Sequence, residues 1–444
     1  MVFAYENIEN KLYGNKNFDH YSKFMLKMLF GNENSLSLLA ILTLLELVLG
    51  GAGRLISFGS FLTIRYILFF VGLLYFVFIL YLNDFKIQNN LFYNPVLLFF
   101  AFLAISIMTA MFNKTPIRDI FDTTKSYLYL LMIFPFSLYL RNMRQVHKAV
   151  DLFVYASTLI ALLSTGIFGL LLVSPSFFNS INSILQRFDY GHLAMVGGIT
   201  RVFLKTGCYM AIAFVIELFR FINIKEKRSV FVLIRMGLQL FGVFATLTMG
   251  IWIALAAGII ICLFLSKGIR KIGIIFLATI FGALLFWKFG GYVMEIISSR
   301  FSSSDTSLVI KSNQFFKIIQ VWSENMLFGK GMGITIFFDS GIAVREMIKF
   351  EIFWLELLVY TGILGFLSYI YILVKTFYFG IKSLKEKSGF DSNQIKGLLV
   401  GLFMMCIITS VNPFLNNPIG IGYFIFVMSA VNVGYANLLK KQVV

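Results

Sequence analysis

Long, continuously apolar stretches recur along this chain from residue 36 onward, and they constrain its fold more than any other feature. Most reach the roughly 20 residues that an α-helix needs to cross a hydrocarbon core of about 30 Å. They are rich in Leu, Ile and Phe and lack the apolar–polar alternation of membrane β-barrel strands. Only 13% of the residues are charged, whereas soluble domains carry about 25%. The sequence therefore predicts an all-α, polytopic integral membrane protein.

The apolar stretches define about twelve predicted spans of helical length. The stretch between Arg228 and Lys267 is too long for one span, and Gly250 is the expected place of a break into two. The predicted spans are 36–53, 58–82, 94–112, 126–140, 150–173, 202–222, 229–247, 249–266, 272–290, 350–376, 396–412 and 418–438.

Dense clusters of Lys and Arg occur in alternate connections between these spans. They lie at 141–148, 225–228, 267–271 and 375–396, and a further pair ends the chain. Short cytoplasmic loops carry an excess of Lys and Arg, so these connections and both termini are predicted to be cytoplasmic. The predicted organisation is a cytoplasmic or interfacial segment (1–35), nine spans (36–290), a large outer loop (291–349), three spans (350–438) and a cytoplasmic tail (439–444).

Two basic side chains stand out on the predicted outer face. Arg201 and Lys205 lie at the mouth of the span 202–222, spaced by one helical turn, which would place them on one face of a helix. They could snorkel to the lipid–water interface, or they could bind an anion. In the large outer loop, an amphipathic helix over Ser307–Glu324 is predicted to lie on the membrane surface. Asp119 and Asp122 are weak candidates for metal ligands and are expected instead to pair with Arg118 and Lys125.

A set of glycines and acids in residues 327–365 has a recognisable order. It resembles the C-terminal signature of the bacterial O-antigen polymerase and ligase superfamily, where Gly-x-Gly-x-Gly ends the large periplasmic loop. A helix with a polar residue, Leu-Glu and Gly-x-x-Gly then follows in that family. The matching residues here are Gly329, Gly331, Gly333, Glu351, Leu355, Glu356, Gly362 and Gly365.

Three upstream segments add to this resemblance. Residues 300–313 resemble the family's stretch from an Arg to D-x-S-x-x-x-R, with Lys311 replacing the last Arg. Residues 246–252 (TLTMGIW) resemble T-x-S-R-G-x-W, with Met249 replacing Arg. Arg201 with the Val-Phe-Leu that follows it matches an Arg after the shorter periplasmic loop of the polymerases.

The resemblance implies a glycosyltransferase that polymerises undecaprenyl-pyrophosphate-linked repeat units into O-antigen or capsule at the periplasmic face of the inner membrane. The ligases usually carry His where this chain has Glu351, and they use the basic residue that Met249 replaces, so the polymerase is favoured. Open alternatives are a ligase that transfers the glycan to lipid A-core, a lipid-linked oligosaccharide flippase or transporter, and a channel or scaffold. Flippases of this kind are expected to show two similar halves, which are not evident here.

The same resemblance assigns roles to individual residues. Glu351 would be the general base on the acceptor hydroxyl, although an acid at a helix N-terminus is also favoured by the helix dipole alone. The implied partners are lipid-linked glycans as donor and acceptor, the bilayer and a chain-length regulator, with no nucleic acid, cofactor or metal. The residues implied to bind pyrophosphate are Arg201, Lys205, Arg300 and Lys311, and those implied to position the substrate are Glu356, Arg345, Gly331 and Gly333.

Overall fold

The computed structural model describes residues 35–53, 57–58, 62–86, 90–196, 198–223, 230–266, 306–339, 344–384 and 390–443. Fourteen α-helices of the described chain account for most of it, and three two-stranded antiparallel hairpins lie between them. The helices are α1 Leu38–Leu49, α2 Ile64–Leu82, α3 Tyr93–Phe112, α4 Ile117–Leu128, α5 Ile133–Tyr139, α6 Met143–Val173, α7 Phe178–Arg187, α8 Cys208–Asn223, α9 Val230–Ala245, α10 Met249–Leu265, α11 Thr306–Ser323, α12 Phe353–Ser383, α13 Phe390–Thr409 and α14 Pro418–Val443. The strands are β1 Ser57–Phe58, β2 Leu62–Thr63, β3 Gly191–Val196, β4 Ile199–Leu204, β5 Ile336–Asp339 and β6 Val344–Met347.

The described chain is an all-α polytopic membrane protein, as the sequence predicts. Six of its helices are long and apolar enough to cross a membrane, namely α2, α3, α6, α12, α13 and α14. The helix α14 is central, because 89% of its apolar window is buried within the protein, whereas the corresponding share is 28% for α2 at the periphery. Shorter apolar helices, α1, α9 and α10, complete this part of the bundle.

Several predicted spans differ from the helices observed. The span 36–53 contains the 12-residue helix α1, and the span 126–140 is divided into the end of α4, a 3₁₀ turn and α5. The long stretch 229–266 forms two helices, with its break at 246–248, directly before the predicted Gly250. The predicted span 272–290 lies outside the described residues, and the total of about twelve spans stays a prediction.

Close helix contacts depend on small residues, as expected in a bilayer, where apolar side chains gain little by leaving lipid. A side-chain carbon at Gly258 would lie 2.4 Å from Met404 of α13, and one at Gly422 would lie 2.4 Å from Leu47 of α1. One buried ion pair lies within the bundle: the Arg65 guanidinium lies 2.9 Å from the Glu46 carboxylate, with both side chains 5% exposed. Such pairing is expected for ionisable groups inside a membrane protein.

Hydrogen bonds between the connecting segments of the described chain define two ends of the helix bundle. At one end, which we call the site end, the Asn113 amide donates to the Lys330 carbonyl at 2.9 Å, and the 246–248 turn contacts the β3–β4 hairpin. At the opposite end, Asn223 donates to Ser266 at 3.0 Å. The connections predicted to be outer meet at the site end, as alternating spans require. The side of the membrane that each end faces stays a prediction.

Candidate functional site

Glu351 and Lys311 form an ion pair at the site end. The Lys311 Nζ atom lies 3.4 Å from Glu351 Oε2, and the Glu351 side chain is 45% exposed. Lys311 lies on α11, whereas Glu351 precedes Ile352, the N-cap of α12. The Glu351 backbone N–H also donates to Gln314 Oε1 at 3.4 Å. The structure therefore places the predicted base beside Lys311, one of the residues predicted to bind pyrophosphate. It leaves the Glu351 carboxylate accessible to a reactant.

The connection between α13 and α14, residues 409–417, closes one side of this site. The Lys311 ammonium donates to the Val411 carbonyl at 3.2 Å, and the Trp354 indole donates to the Ser410 hydroxyl at 3.0 Å. The 409–417 loop is thereby held against both α11 and the first turn of α12. Because Lys311 bonds both this loop and Glu351, the loop is part of the candidate site.

Glu356 lies in the first turn of α12 and is only 2% exposed. One carboxylate oxygen accepts from the backbone N–H of Phe350, and the other accepts from the Asn416 amide, each at 2.8 Å. Both oxygens thus have protein partners. Glu356 thereby holds the segment before Glu351 and the 409–417 loop in a defined relative position. Its role in positioning substrate stays a prediction, and it would act through these two segments.

Arg201 does not lie on a helix, which corrects the interpretation of its spacing from Lys205. Residues 199–204 form strand β4, which pairs with β3, and helix α8 begins only at Cys208. Alternate residues of a strand share a face, so Arg201 and Phe203 lie on one side of the β3–β4 hairpin, whereas Lys205 lies directly after β4, in the turn before α8. The Arg201 guanidinium donates to the Thr246 carbonyl at 3.1 Å and to the Thr248 hydroxyl at 3.2 Å.

Further aromatic and charged groups lie on or beside this face of the hairpin. The Arg201 guanidinium lies 5.0 Å from the centre of the Phe203 ring, and His192 packs on that ring with centroids 4.9 Å apart. The Lys205 ammonium pairs with Asp189 at 2.5 Å. Burial, together with the positive charges of Arg201 and Lys205, lowers the pKa of His192 below its ordinary value. This part of the site end thus carries two cations, of which Lys205 is already paired with Asp189.

A continuous series of contacts connects Arg201 to Glu351. Arg201 bonds the 246–248 turn, which leads directly into Gly250 on the first turn of α10. A side-chain carbon at Gly250 would lie 2.6 Å from Val411 and 3.3 Å from the Asn412 amide nitrogen. Val411 in turn accepts from Lys311, the partner of Glu351. Segments far apart in sequence therefore surround one region at the site end.

The glycine-rich segment of the signature packs into a kink in α12. Gly362 has a φ of +65°, and the backbone groups that the kink leaves unpaired bond the segment instead. Lys330 N–H donates to the Val359 carbonyl at 2.8 Å, and Ile363 N–H donates to the Met326 carbonyl at 2.9 Å. Gly331 has a φ of +98° and leaves no room for a side chain, because Ala110 would be 2.4 Å away. This packing explains the glycines by itself, and their role in positioning substrate stays a prediction.

The remaining predicted residues are placed less completely. Arg345 lies on β6 opposite Phe338 of β5, and the structure describes its backbone position only. Arg300 lies outside the described residues, so its convergence with Arg201 and Lys205 stays a prediction. The expected pairing of Asp122 is confirmed, because it forms ion pairs with Lys125 and Arg118. The hydrogen bond from Lys125 is the main cause that lowers the pKa of Asp122.

Sequence reasoning did not identify the polar side chains of the 409–417 loop or the hydroxyls of the 246–248 turn. The loop sequence TSVNPFLNN contains five Thr, Ser and Asn side chains among nine residues, and this signal could have marked it as a polar connection at the site end. Among the residues that the structure describes, no group of three or more His, Cys, Asp or Glu side chains could hold a metal ion.

Comparison with known proteins agrees with the motif resemblance. The chain matches no protein-family model. It is 25% identical over 413 residues to an O-antigen polymerase of Shigella flexneri, an alignment that covers 89% of this chain and 96% of that protein. The resemblance to the O-antigen polymerases that the motifs predict is thus confirmed over nearly the whole chain.

Proposed function

From this similarity, we propose that the chain is a glycosyltransferase of the bacterial inner membrane with a role in polysaccharide synthesis. In detail, it polymerises undecaprenyl-pyrophosphate-linked oligosaccharide repeat units into O-antigen or capsule. The reaction takes place at the site end of the bundle, which faces the periplasm. The observation that carries the proposal is the accessible Glu351 carboxylate beside Lys311, in a chain similar over its length to an O-antigen polymerase.

The proposed reaction transfers a glycan from one lipid carrier to the next repeat unit. The Glu351 carboxylate accepts the proton of an acceptor hydroxyl. The acceptor oxygen then bonds to the anomeric carbon of the donor sugar, and the bond from that carbon to pyrophosphate breaks. Undecaprenyl pyrophosphate leaves with the bonding electron pair. Its developing charge is stabilised by cationic side chains at the site end, for which Arg201, Lys205, Arg300 and Lys311 are the candidates.

The ion pair with Lys311 also fits this scheme. A fixed ammonium 3.4 Å from Glu351 restricts the orientation of a half-exposed carboxylate. The N-terminus of α12 adds a partial positive charge on the same side. Neither effect requires a metal, and we expect activity to be independent of added chelator. We further propose a polysaccharide chain-length regulator as a partner of the protein.

The decisive test replaces Glu351 with Gln, which keeps the size of the side chain but cannot act as a base. We expect Glu351→Gln to abolish chain extension at normal membrane abundance, and Glu351→Asp to retain a small fraction of it. The glycan length distribution and the amount of protein in the membrane are measured for each variant. Normal long chains from Glu351→Gln would exclude the catalytic role.

A matched control is available at the same end of the molecule. Glu324 is also exposed and also paired with a lysine, since Lys330 Nζ lies 2.6 Å from its carboxylate. An exposed ion pair contributes only about 0–1 kcal/mol to stability. Glu324→Gln should therefore retain long chains. Equal losses of chain extension in Glu324→Gln and Glu351→Gln would show that removing a negative charge has a general effect and that Glu351 is not the base.

A further inference from the structure

The 409–417 loop contains one polar side chain whose position suggests a ligand. The structure describes the whole loop, and all but one of its polar side chains have partners within the protein. Asn412 is half-buried, and its side-chain amide forms no hydrogen bond with any described residue. The partnered side chains are Thr409, which accepts from two backbone N–H groups of the loop, Ser410, Asn416 and Asn417.

The surroundings of Asn412 place its amide inside the candidate site. The preceding residue, Val411, accepts a hydrogen bond from Lys311, which pairs with Glu351. On its other side, the absence of a side chain at Gly250 makes room for the amide, because a carbon there would lie 3.3 Å from Asn412 Nδ2. Asn412 is thus linked to Glu351 through Val411 and Lys311, and its amide lies against the first turn of α10.

We propose that Asn412 binds a sugar hydroxyl of the acceptor and holds the acceptor in front of Glu351. This inference rests on the proposed polymerase function and adds a positioning residue to it. A carboxamide has two N–H donors and a carbonyl acceptor, so it can both donate to a hydroxyl and accept from one. The rest of the loop is bonded to itself and to α12, which fixes the backbone at Asn412 before substrate arrives and reduces the ordering cost of binding.

The charge of the Asn412 amide favours a sugar over a phosphate as its ligand. An amide is neutral, and it gains less from a pyrophosphate than the cationic side chains nearby do. Glu351 is negatively charged when it acts as a base, so an anionic group near it needs a cation such as Lys311 to offset the repulsion, and the Asn412 amide supplies no charge. The neutral hydroxyls of a glycan are therefore the better match for the Asn412 amide.

The test uses the full-length protein in proteoliposomes and lipid-linked repeat units isolated from a strain that lacks this protein. Initial rates are measured against repeat-unit concentration, together with the thermal stability of each variant. Removing one or two hydrogen bonds to neutral hydroxyls should raise KM by roughly tenfold in Asn412→Ala. Because the amide has no partner among the described residues, the melting temperature should not change. Asn412→Ser, with a small hydroxyl, should recover part of the affinity.

Two further variants separate binding from folding and sugar from phosphate. Asn416→Ala is the matched control in the same loop, since its amide bonds Glu356, and it should lower the melting temperature. Asn412→Asp still accepts from a hydroxyl and should retain measurable activity, whereas repulsion would abolish activity if the ligand were pyrophosphate.

The outcomes are distinguishable from a failure of the proposed function. Wild-type protein that does not polymerise the repeat units would refute the proposed function, and the role of Asn412 with it. Wild-type protein that polymerises them, while Asn412→Ala and Asn412→Ser keep the wild-type KM, would overturn only the role of Asn412. Complete loss in Asn412→Asp with near-normal activity in Asn412→Ala would assign the amide to the pyrophosphate and also overturn the inference.

Discussion

At the scale of single residues, two acidic side chains of the site end that are close in sequence have different surroundings. Glu351 and Glu356 are close in sequence, yet the first is 45% exposed and the second is 2% exposed with both oxygens bonded. A buried carboxylate with two donors serves the local structure, because losing it would leave those donors unpaired. An accessible carboxylate beside a cation is available for chemistry. Exposure and partners, more than residue type, separate the two roles.

Arg201 is expected to have a measurable effect on turnover. Hydrogen bonds to charged groups are worth about 1.5–3 kcal/mol each, and about 1.4 kcal/mol corresponds to a tenfold change in rate. We therefore expect Arg201→Ala to lower the polymerisation rate by about one to two decades. Arg201→Lys should recover only part of the rate. The planar guanidinium can bond the 246–248 turn and a phosphate at once, which the single ammonium of a lysine cannot do. Rates are measured at matched membrane abundance.

The control for Arg201 is another cation of the same region. Arg187, at the end of α7, is exposed and should tolerate replacement by Ala with little change in rate. Full activity of Arg201→Ala at normal abundance would remove Arg201 from the site and leave it a purely structural link between the hairpin and the α9–α10 turn.

At the scale of secondary-structure elements, the kink in α12 organises the site end. A helix break within a membrane protein exposes backbone groups that must be bonded internally. Here the glycine-rich segment supplies those bonds, through Lys330 N–H to Val359 and Ile363 N–H to Met326. The first turns of α12, which carry Glu356, are thereby attached to the segment that follows α11. The two glycine motifs are therefore partners in one backbone contact.

Substitution of these glycines should destabilise the protein. Gly331→Ala and Gly362→Ala each combine a left-handed φ with backbone atoms only 2.4 Å and 2.2 Å from the new carbon. A strained φ and an overpacked contact together should cost about 2 kcal/mol or more. The expected result is a lower melting temperature in detergent and reduced membrane abundance.

Gly166 provides the matched control for this prediction. It lies within helix α6, and a side-chain carbon added there would meet no other atom within 4 Å. Gly166→Ala should be neutral or slightly stabilising, since Ala favours a helix over Gly by about 1 kcal/mol. A wild-type melting temperature for Gly331→Ala would contradict the close packing described at that site.

At the scale of the whole molecule, the two ends of the bundle carry different chemistry. The site end combines hairpins, the kinked helix and the ion pair of Lys311 with Glu351, whereas the opposite end is bonded through pairs such as Arg220 and Gln394, 2.7 Å apart. A lipid-linked substrate must meet both water and lipid, so a site at one end of the helices fits the proposed reaction. The proposed reaction further requires that this end face the periplasm.

Cysteine labelling can determine this orientation. Ser183, exposed on α7 at the site end, and Lys86, exposed after α2 at the opposite end, are each replaced by Cys. In spheroplasts, a membrane-impermeant thiol reagent should label Ser183→Cys and should label Lys86→Cys only after lysis. The unsubstituted protein is the control, because Cys208 and Cys262 are buried and Cys406 is half-buried. Labelling in the reverse order would place the site in the cytoplasm and refute the proposed reaction.

From the sequence alone follow the class of the protein, the approximate places of the long apolar helices that the structure describes, and the family that it resembles. These follow from local properties: apolar length decides whether a helix can span the bilayer, and short motifs keep their order along the chain. The sequence also predicted a break in the stretch 229–266 and the pairing of Asp122. It wrongly extended the helical span at 202–222 towards Arg201, because the apolar residues of a short hairpin strand resemble those of a helix end.

Which of the predicted residues meet depends on the tertiary structure. Lys311 and Glu351 lie in different elements, and their contact depends on how α11 packs beside α12. The partners of Glu356 and the surroundings of the Asn412 amide depend in the same way on the path of the 409–417 loop. The physical reason is that spans are set by transfer of each segment into lipid, one at a time, whereas a site is set by contacts between segments, which no local pattern records.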